Sequence, residues 1–366
     1  MTIPVARTPL ALLLSACLSA AELPPDLASF FDPPSEYAND LGPYRPILTF
    51  KDGSPVETSA DWARRRQEIL RSWHEVMGQW PAQIEKPRLE RLETSDRDGF
   101  QQNRISVEIA KDHLVPGYLL IPPGKGPFPA VFVPFYDAET SIGLSKAGRD
   151  FAYQLARRGF VTLSIGSPGG DARKPDITPL RCQPLSALAY FAGNCANTLA
   201  NLPEVDPARI GIVGHSYGGK WAMFGACLNE RFACGAWSDP GIVFDETRPN
   251  INYWDPWYLG ASDGPPRPQG LPDADHPRTG AYKTVHERGM DLLELQALMA
   301  PRPFLVSGGA EDPPKRWLAL NHILALNRLL GFNHRVAMTN RPAHEPTPES
   351  NEAIYRFFEY FLHSKP

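Results

Sequence analysis

The feature that most restricts the fold is a regular alternation of strand-like and helix-like segments in the second two thirds of the chain. In chain order the segments are "PAVFVPF", "GRDFAYQLARRG", "FVTLSIG", "PLSALAYFAGNCANTLANL", "RIGIVG", a helix that follows directly, "FACGAWS", "MDLLELQALM", "PFLVSG", "RWLALNHILALNRLLG", "HRVAMT" and "SNEAIYRFFEYFL". Strands that alternate with helices in this way predict an α/β fold, with a mostly parallel central sheet covered by helices on both faces.

The chain of 366 residues divides into three parts on this pattern. We expect residues 1–21 to be a signal peptide. Residues 22–102 form an N-terminal extension, whose helix is expected to be capped by Ser59 or Asp61 and to pack against the core. Residues 103–366 form the α/β domain, which opens with the strands "NRISVEI" and "PGYLLIP".

The amino-terminal segment is typical of an exported protein. Arg7 precedes the apolar run "PLALLLSACLSAA", which is shorter than the ~20 apolar residues that span a bilayer. Ser19, Ala20 and Ala21 suit cleavage by a signal peptidase, whereas "LSAC" resembles a bacterial lipoprotein box that would be lipidated at Cys17. Both routes predict a periplasmic or secreted protein, with Cys17 as its one possible membrane anchor.

Four cysteines follow the export segment: Cys182, Cys195, Cys227 and Cys234. An even number suits disulfides in an oxidising compartment, and pairing of sequence neighbours would join 182 to 195 and 227 to 234. Cys227 and Cys234 equally suit small buried hydrophobic residues. The spacing is not that of a zinc site, so we expect no metal.

The composition excludes one further class of function. The chain is 42% hydrophobic and 21% charged, with a net charge of −4. These values are typical of a globular protein and lack the basic footprint of a nucleic-acid-binding protein. We therefore expect no nucleic-acid partner, and nothing in the sequence requires an organic cofactor.

The segment "IGIVGHSYGGKWAMF" places Ser216 in a G-x-S-x-G motif between a strand and a helix. Its glycines permit a tight turn that holds the central residue in a strained backbone conformation and exposes its side chain above the sheet. The first amides of the following helix point toward the same place. Ser216 is therefore the candidate nucleophile.

A serine hydroxyl needs a base to become a good nucleophile, and histidine, largely neutral near pH 7, suits that role. Nine histidines are present. His344, in "NRPAHEPTPES", is the one that lies in the loop after the last strand, at the same end of the sheet as Ser216. We take His344 as the candidate base.

The base in turn needs a carboxylate that holds its tautomer. The turn after "PFLVSG" carries two acids, of which Asp312 is the first choice and Glu311 an alternative. Asp239, in "WSDPG" after the preceding strand, is a second location for the acid. The sequence leaves these alternatives open.

At these residues the chain resembles the α/β-hydrolase superfamily, and most closely its dienelactone-hydrolase and acetyl-xylan-esterase branch. The segments "LPEVDPARIGIVGHSYGG", "LLELQALMAPRPFLVSGGAED" and "GYLLIPPGKGPFPAVFV" are similar to that branch, so the resemblance covers about residues 60–363. The order Ser216, Asp312, His344 agrees with it. Dienelactone hydrolases use a cysteine nucleophile, so the serine argues against that activity.

The position of Lys220 also resembles a feature of glucuronoyl esterases. That family has a lysine four residues after its nucleophile, where it contacts the sugar acid, and Lys220 stands four residues after Ser216. The resemblance therefore implies substrate binding by Lys220, although a solvated helical lysine is the alternative. The arginine that follows the serine in that family is replaced here by Tyr217, which is a departure from the pattern.

An acyl-transfer intermediate needs two N–H donors for its oxyanion. The amide of Tyr217, directly after the nucleophile, is the first. The second would come from the loop after "PAVFVPF", where relatives often have His-Gly and this chain has Tyr136 in the sequence "PFYD". We take the amide of Tyr136 as the second donor.

Residues 240–288 interrupt the alternation with a stretch rich in proline, glycine and aromatic residues, which we interpret as a lid insertion. Its segment "NINYWDPWYLG" contains Tyr253, Trp254, Trp257 and Tyr258. Such rings suit sugar rings or aromatic acyl groups, and equally the interior of a lid. We expect Trp254 and Trp257 to contact substrate.

These features predict an exported serine esterase acting on acetyl, feruloyl or glucuronoyl esters of polysaccharide through an acyl-enzyme intermediate. A serine peptidase related to prolyl oligopeptidases is one alternative, but those enzymes carry a propeller before the catalytic core, and the residues before the first strand here contain no repeat. A non-catalytic exported binding protein is the other alternative. The presence of candidates for all three catalytic roles argues against it.

Overall fold

The structure is a computed structural model that describes residues 23–265 and 267–363. The predicted signal peptide and the possible lipid anchor at Cys17 lie outside the described residues. The strands, numbered β1 to β9 in chain order, are Leu89–Arg97, Phe100–Ala110, His113–Ile121, Phe128–Pro134, Val161–Ile165, Val205–His215, Cys234–Ser238, Phe304–Gly308 and Val336–Asn340.

Ten α-helices accompany these strands in the described part of the chain. Numbered α1 to α10, they are Pro25–Ala28, Ser59–Met77, Ala138–Ser141, Phe151–Ala156, Pro184–Ala200, Tyr217–Leu228, Gly280–Glu287, Leu292–Ala297, Trp317–Leu329 and Pro348–Phe358. Short 3₁₀ turns lie at Pro168–Gly170 and Pro314–Arg316, and a π-helical turn, Glu359–His363, ends the described chain.

All nine strands belong to one sheet, in the order β1-β2-β3-β5-β4-β6-β7-β8-β9. The first three strands and the β3–β5 pair are antiparallel, whereas every pair from β5 through β4 to β9 is parallel. The α/β architecture that the alternation predicts is therefore confirmed. Because the carboxyl ends of parallel strands meet at one edge, the loops after β4, β6, β7, β8 and β9 open on the same side.

The sheet is buried on both faces. Successive side chains of a strand point to opposite faces, so each strand contributes to two hydrophobic clusters. In β4, Ala130 and Phe132 join one hydrophobic cluster, and Val131 and Val133 join the other. The larger cluster contains α5 and α6, which are apolar on nearly every side and are buried over almost their full length. These two helices fix the strand that carries Ser216.

Two features of the extension differ from the sequence expectation. Strand β1 begins at Leu89, before the expected start of the α/β domain at residue 103, and its sequence "LERLETSDR" lacks apolar alternation because most of its side chains are exposed. Helix α2 is capped by Thr58 rather than by Ser59 or Asp61, and Asp61 completes a capping box with Thr58.

The predicted disulfides do not form, since all four described cysteines are free. Cys227 and Cys234 belong to different hydrophobic clusters on opposite faces of the sheet, so their side chains point away from each other. Cys195 is buried inside α5, while Cys182 packs beside Gly78 in the loop before that helix. Three of the four therefore act as small buried hydrophobic residues.

Candidate active site

Ser216 occupies the turn between β6 and α6 with a positive φ of 55° and a ψ of −114°. The turn depends on two glycines. A Cβ added to Gly214 would lie 2.1 Å from the carbonyl oxygen of Gly218, and one added to Gly218 would lie 2.3 Å from that of Pro134. Both contacts are impossible for a real side chain, so the spacing of the G-x-S-x-G motif follows from backbone packing.

His344 lies beside this turn, with its ring centroid 4.7 Å from that of His215, the residue before Ser216. Its Nδ1 is 2.7 Å from Oδ2 of Asp239. A carboxylate at Nδ1 fixes the imidazole as the tautomer that carries its proton there and leaves Nε2 free to accept one. The hydroxyl of Ser216 has no hydrogen-bond partner among the described residues.

The expectation that Asp312 orients the histidine is corrected by this geometry, because Asp312 does not contact His344. Both of its carboxylate oxygens accept backbone N–H groups, from Gly241 at 2.8 Å and from Ile242 at 2.7 Å. Burial, and then the nearby charge of Asp239, raise the pKa of Asp312 to about 6. Glu311, the other alternative, instead accepts a hydrogen bond from the Asn250 amide at 2.9 Å.

Asp239 is held in place by the loop that contains Asp312. Its Oδ1 accepts N–H groups from Gly309 at 2.7 Å and from Asp312 at 2.8 Å, and the Glu311 N–H lies within reach of both oxygens. The positive φ of Asp239, 51°, turns its side chain toward these amides. Oδ2 is thereby directed at His344.

Arg341 anchors the loop that carries His344, a role that the sequence analysis missed. Its guanidinium donates to the carbonyl oxygens of Ser307 at 2.9 Å and His344 at 2.6 Å, and to the hydroxyl of Ser238 at 3.1 Å. It therefore ties the end of β9 to the ends of β7 and β8. The only signal in the sequence was a basic residue three positions before His344.

His215 is buried directly beneath the candidate base. Its Nδ1 lies 3.1 Å from the hydroxyl of Ser238, and its ring stacks on Phe135. Burial, with a smaller effect of His344, holds the pKa of His215 well below its ordinary value. A neutral ring in this position avoids charge repulsion when His344 takes up a proton.

Tyr217 and Tyr136, the residues proposed for the oxyanion hole, lie side by side with ring centroids 5.0 Å apart. Tyr217 is the first residue of α6, so its N–H has no acceptor within the helix. Ser167, in the loop after β5, links the two residues. Its N–H donates to the Tyr136 carbonyl at 3.1 Å, and its hydroxyl lies 3.0 Å from the Tyr217 hydroxyl.

Lys220 projects from α6 beneath the 240–288 insertion and is buried, with 2% of its surface exposed. Its Nζ donates to the Asn250 carbonyl at 3.1 Å and lies 5.0 Å and 5.4 Å from the ring centroids of Tyr253 and Tyr258. Burial lowers the pKa of Lys220 to about 8, although nearby carboxylates oppose the shift. It is thus not the solvated lysine of the alternative interpretation.

The two tryptophans expected to bind substrate differ in their surroundings. Trp254 is only 2% exposed and packs edge-to-face on Tyr282, so a substrate cannot reach it in this structure. The expectation for Trp254 is therefore corrected, because its apolar surface is used inside the insertion. Trp257 is half-buried, with the Arg173 guanidinium 5.8 Å from its ring centroid, and remains a candidate.

No group of metal-ligating side chains is present in residues 23–265 and 267–363. No helix within these ranges is long and apolar enough to cross a membrane.

Comparisons with known proteins yielded curated relatives, although no protein-family model matches the chain. The chain is 25% identical over 215 residues to a 4-O-methyl-glucuronoyl methylesterase of Schizophyllum commune, a match that covers 54% of this chain and 49% of the relative. It is 32% identical over 160 residues to esterase EstD of Thermotoga maritima, which covers 43% of this chain and 36% of that protein. The chain thus spans about half the length, or less, of these relatives.

Solved structures match the fold over most of its length. A glucuronoyl esterase from Solibacter usitatus superimposes with a TM-score of 0.67 and 19% identity, covering 87% of this chain and 97% of that one. At this level of identity the match shows the fold alone. Together with the sheet order and the turn at Ser216, it confirms the predicted α/β-hydrolase fold.

Proposed function

We propose that this chain is a serine-dependent carboxylic ester hydrolase that acts on carbohydrate esters, with uronate esters as the favoured class. The observation that carries the proposal is the Asp239–His344 hydrogen bond, 2.7 Å long, beside a serine in a strained strand-to-helix turn. An imidazole oriented by a carboxylate next to a serine hydroxyl is the arrangement that activates the hydroxyl for acyl transfer.

In the acylation step, Ser216 Oγ attacks the ester carbonyl while His344 Nε2 accepts the hydroxyl proton. Asp239 keeps the other ring nitrogen protonated and stabilises the imidazolium. The amides of Tyr217 and Tyr136 hold the oxyanion of the tetrahedral intermediate. When the intermediate collapses, the bond to the alcohol oxygen breaks and His344 gives its proton to the departing alcohol.

Deacylation repeats these steps with water as the nucleophile. His344 accepts a proton from the water as its oxygen attacks the acyl carbon, and the bond to Ser216 Oγ then breaks. The serine regains a proton from His344, and the carboxylic acid is released. The net reaction consumes one water and yields one acid and one alcohol.

The environment of Lys220 favours a substrate whose acyl group is a sugar acid. Among the described residues its ammonium has one hydrogen bond, to Asn250, so donors remain for the hydroxyls of a sugar. The lysine lies four residues after Ser216 on α6, and the named relatives include a 4-O-methyl-glucuronoyl methylesterase. Contact with substrate requires movement of the insertion that covers Lys220, which is consistent with our interpretation of residues 240–288 as a lid.

We test the proposal with Ser216→Ala and the methyl ester of glucuronic acid. The variant should lose on the order of 10⁶ in kcat, because no other group replaces the nucleophile. The exposed Ser54→Ala serves as a matched control and should retain wild-type rates. The same assay with acetylated sugars, a feruloyl ester and peptide anilides defines the substrate class. If Ser216→Ala retained a tenth of the activity, the mechanism would be wrong.

We also propose that the protein is exported, on the evidence of its amino-terminal sequence. Polysaccharide esters are found outside the cytoplasm, so the proposed location agrees with the proposed substrate. Free cysteines in the fold do not argue against export, because three of them are buried away from solvent.

A further inference from the structure

The two amides proposed for the oxyanion hole lie on separate segments of the chain. Tyr217 begins α6, whereas Tyr136 lies in the loop after β4. Neither the Tyr217 N–H nor the Tyr136 N–H has a hydrogen-bond acceptor among the described residues, so both donors are free. A pair of donors stabilises an oxyanion best when both are fixed before the reaction begins. The relative position of the two amides therefore has to be set by contacts between the two segments.

Two hydrogen bonds through Ser167, in the loop after β5, join these segments. The Ser167 N–H donates to the Tyr136 carbonyl at 3.1 Å, and the Ser167 hydroxyl lies 3.0 Å from the hydroxyl of Tyr217. Ser167 is 5% exposed and Tyr217 is 1% exposed, so bulk water does not compete for the contact between their hydroxyls. The side chain of Tyr217 thus reaches from the residue that carries one amide to the loop that holds the other.

Other contacts also restrain the loop that carries Tyr136. Asp137, the next residue, accepts the N–H of Thr140 at 2.7 Å and thereby caps α3. A Cβ added to Gly166 would lie 3.2 Å from the Tyr136 carbonyl oxygen, because the β5 loop approaches so closely. The rings of Tyr136 and Tyr217 have centroids 5.0 Å apart. Since these contacts remain when a hydroxyl is removed, the loop should shift slightly rather than unfold.

The hydroxyl of Tyr217 acts as a neutral group. Burial raises the pKa of Tyr217 above its ordinary value, and the hydrogen bond with Ser167 opposes the shift only in part. The hydroxyl therefore keeps its proton at neutral pH, so it supplies no charge to the reaction and does not serve as a base. Its contribution is to the geometry of the segments that it joins.

We propose that Ser167 and the hydroxyl of Tyr217 are positioning groups, which set the distance between the Tyr217 and Tyr136 amides in the oxyanion hole. The inference rests on the proposed function, because it assigns these groups a role in that reaction. In this role neither hydroxyl touches the reacting atoms. Removal of the link should leave substrate binding intact and weaken the stabilisation of the tetrahedral intermediate.

The test compares Tyr217→Phe with the wild type on p-nitrophenyl acetate and on the methyl ester of glucuronic acid. Phenylalanine keeps the ring and the backbone N–H and removes only the hydroxyl. We expect kcat to fall about 10-fold with KM changed less than about 2-fold, because loss of a whole oxyanion donor costs ~10²–10³. Affinity for a boronic acid that forms a tetrahedral adduct with Ser216 should fall by a similar factor. An unchanged kcat, or an effect on KM alone, overturns the proposal.

Tyr190→Phe is the matched control for a purely structural role. It also removes a buried tyrosine hydroxyl, which donates to the Ala82 carbonyl at 2.9 Å where α5 meets the N-terminal extension. Thermal unfolding should show similar losses of stability in the two variants, whereas only Tyr217→Phe should lose turnover. Equal losses of kcat in both variants overturn the proposal.

Ser167→Ala breaks the same link from its other end and keeps the N–H that bonds to Tyr136. Combined with Tyr217→Phe, it should cost no more in kcat than either single variant, since one link is removed in all three proteins. Multiplied losses would show that the two hydroxyls act independently, which contradicts the proposal. Should Tyr217→Phe fail to fold, Ser167→Ala alone gives the comparison with the wild type. Absence of Ser216-dependent esterase activity in the wild type would instead refute the proposed function, so the two failures are distinguishable.

Discussion

The loops after the neighbouring strands β7 and β8 both carry a buried aspartate, yet only one of the two reaches the histidine. Asp239, after β7, accepts backbone amides of the β8 loop, and Asp312, after β8, accepts backbone amides of the β7 loop. Each carboxylate thus holds the other loop in place. The difference is that both oxygens of Asp312 are used in this way, whereas one oxygen of Asp239 also bonds to His344.

The comparison shows that the role of a carboxylate depends on how its oxygens are satisfied as well as on its position along the chain. Asp312 is completely buried, its amide contacts are short, and the Arg316 guanidinium lies 3.5 Å away. A buried carboxylate with such partners stabilises the positions of the loops that it joins. Asp239 also accepts backbone amides, and in addition it hydrogen-bonds to the half-buried imidazole of His344. Its negative charge can therefore stabilise a proton on that ring.

The largest expected effect is that of Asp239→Asn on turnover. The amide cannot hold His344 in the tautomer that accepts the serine proton, so kcat should fall by about 10⁴. Initial rates on the uronate methyl ester measure the effect, and far-ultraviolet circular dichroism checks the fold. If the loss were less than about tenfold, Asp239 would not be the residue that orients the base.

A smaller effect on turnover is expected for the matched variant Asp312→Asn. This carboxylate does not contact His344, so the change acts only through the loop and should cost about tenfold or less in kcat. Equal losses in the two variants would contradict the distinction between the two loops.

Asp312→Asn should also change how stability depends on pH. The pKa of Asp312 is raised to about 6 in the folded protein, above its value in the unfolded chain. The folded state therefore binds more protons in this range, and the wild type loses stability as pH rises from about 4 to about 6. The variant lacks this titration, so thermal unfolding of the two proteins should diverge across that interval. Parallel curves would show that Asp312 does not titrate there.

The sequence pointed most directly to the candidate residues whose positions are determined locally. Ser216 was identifiable because the glycines on either side of it form a motif that the local backbone requires. A side chain on Gly214 would collide with the carbonyl of Gly218, and one on Gly218 would collide with the carbonyl of Pro134. His344 was identifiable because it follows the last strand. The choice between Asp239 and Asp312 depends on a positive φ and on hydrogen bonds between two loops about 70 residues apart, and neither feature has a signature in the sequence.

The features that the sequence analysis predicted wrongly involve side chains whose environment is set by tertiary packing. Trp254 looked available to a sugar, but it packs on Tyr282 inside the insertion. Cys227 and Cys234 looked close enough to pair, but the sheet separates them.

Strand β1 was missed because an edge strand with polar side chains on both faces lacks the apolar alternation by which strands are recognised.

The central claim is that His344, oriented by Asp239, activates Ser216. Labelling with a fluorophosphonate followed by peptide mass spectrometry tests it most directly, because the reagent reacts only with an activated hydroxyl. We expect one adduct, on Ser216, which forms far more slowly in Asp239→Asn than in Asp312→Asn. An adduct on another residue, no adduct, or equal labelling rates in the two variants would contradict the account.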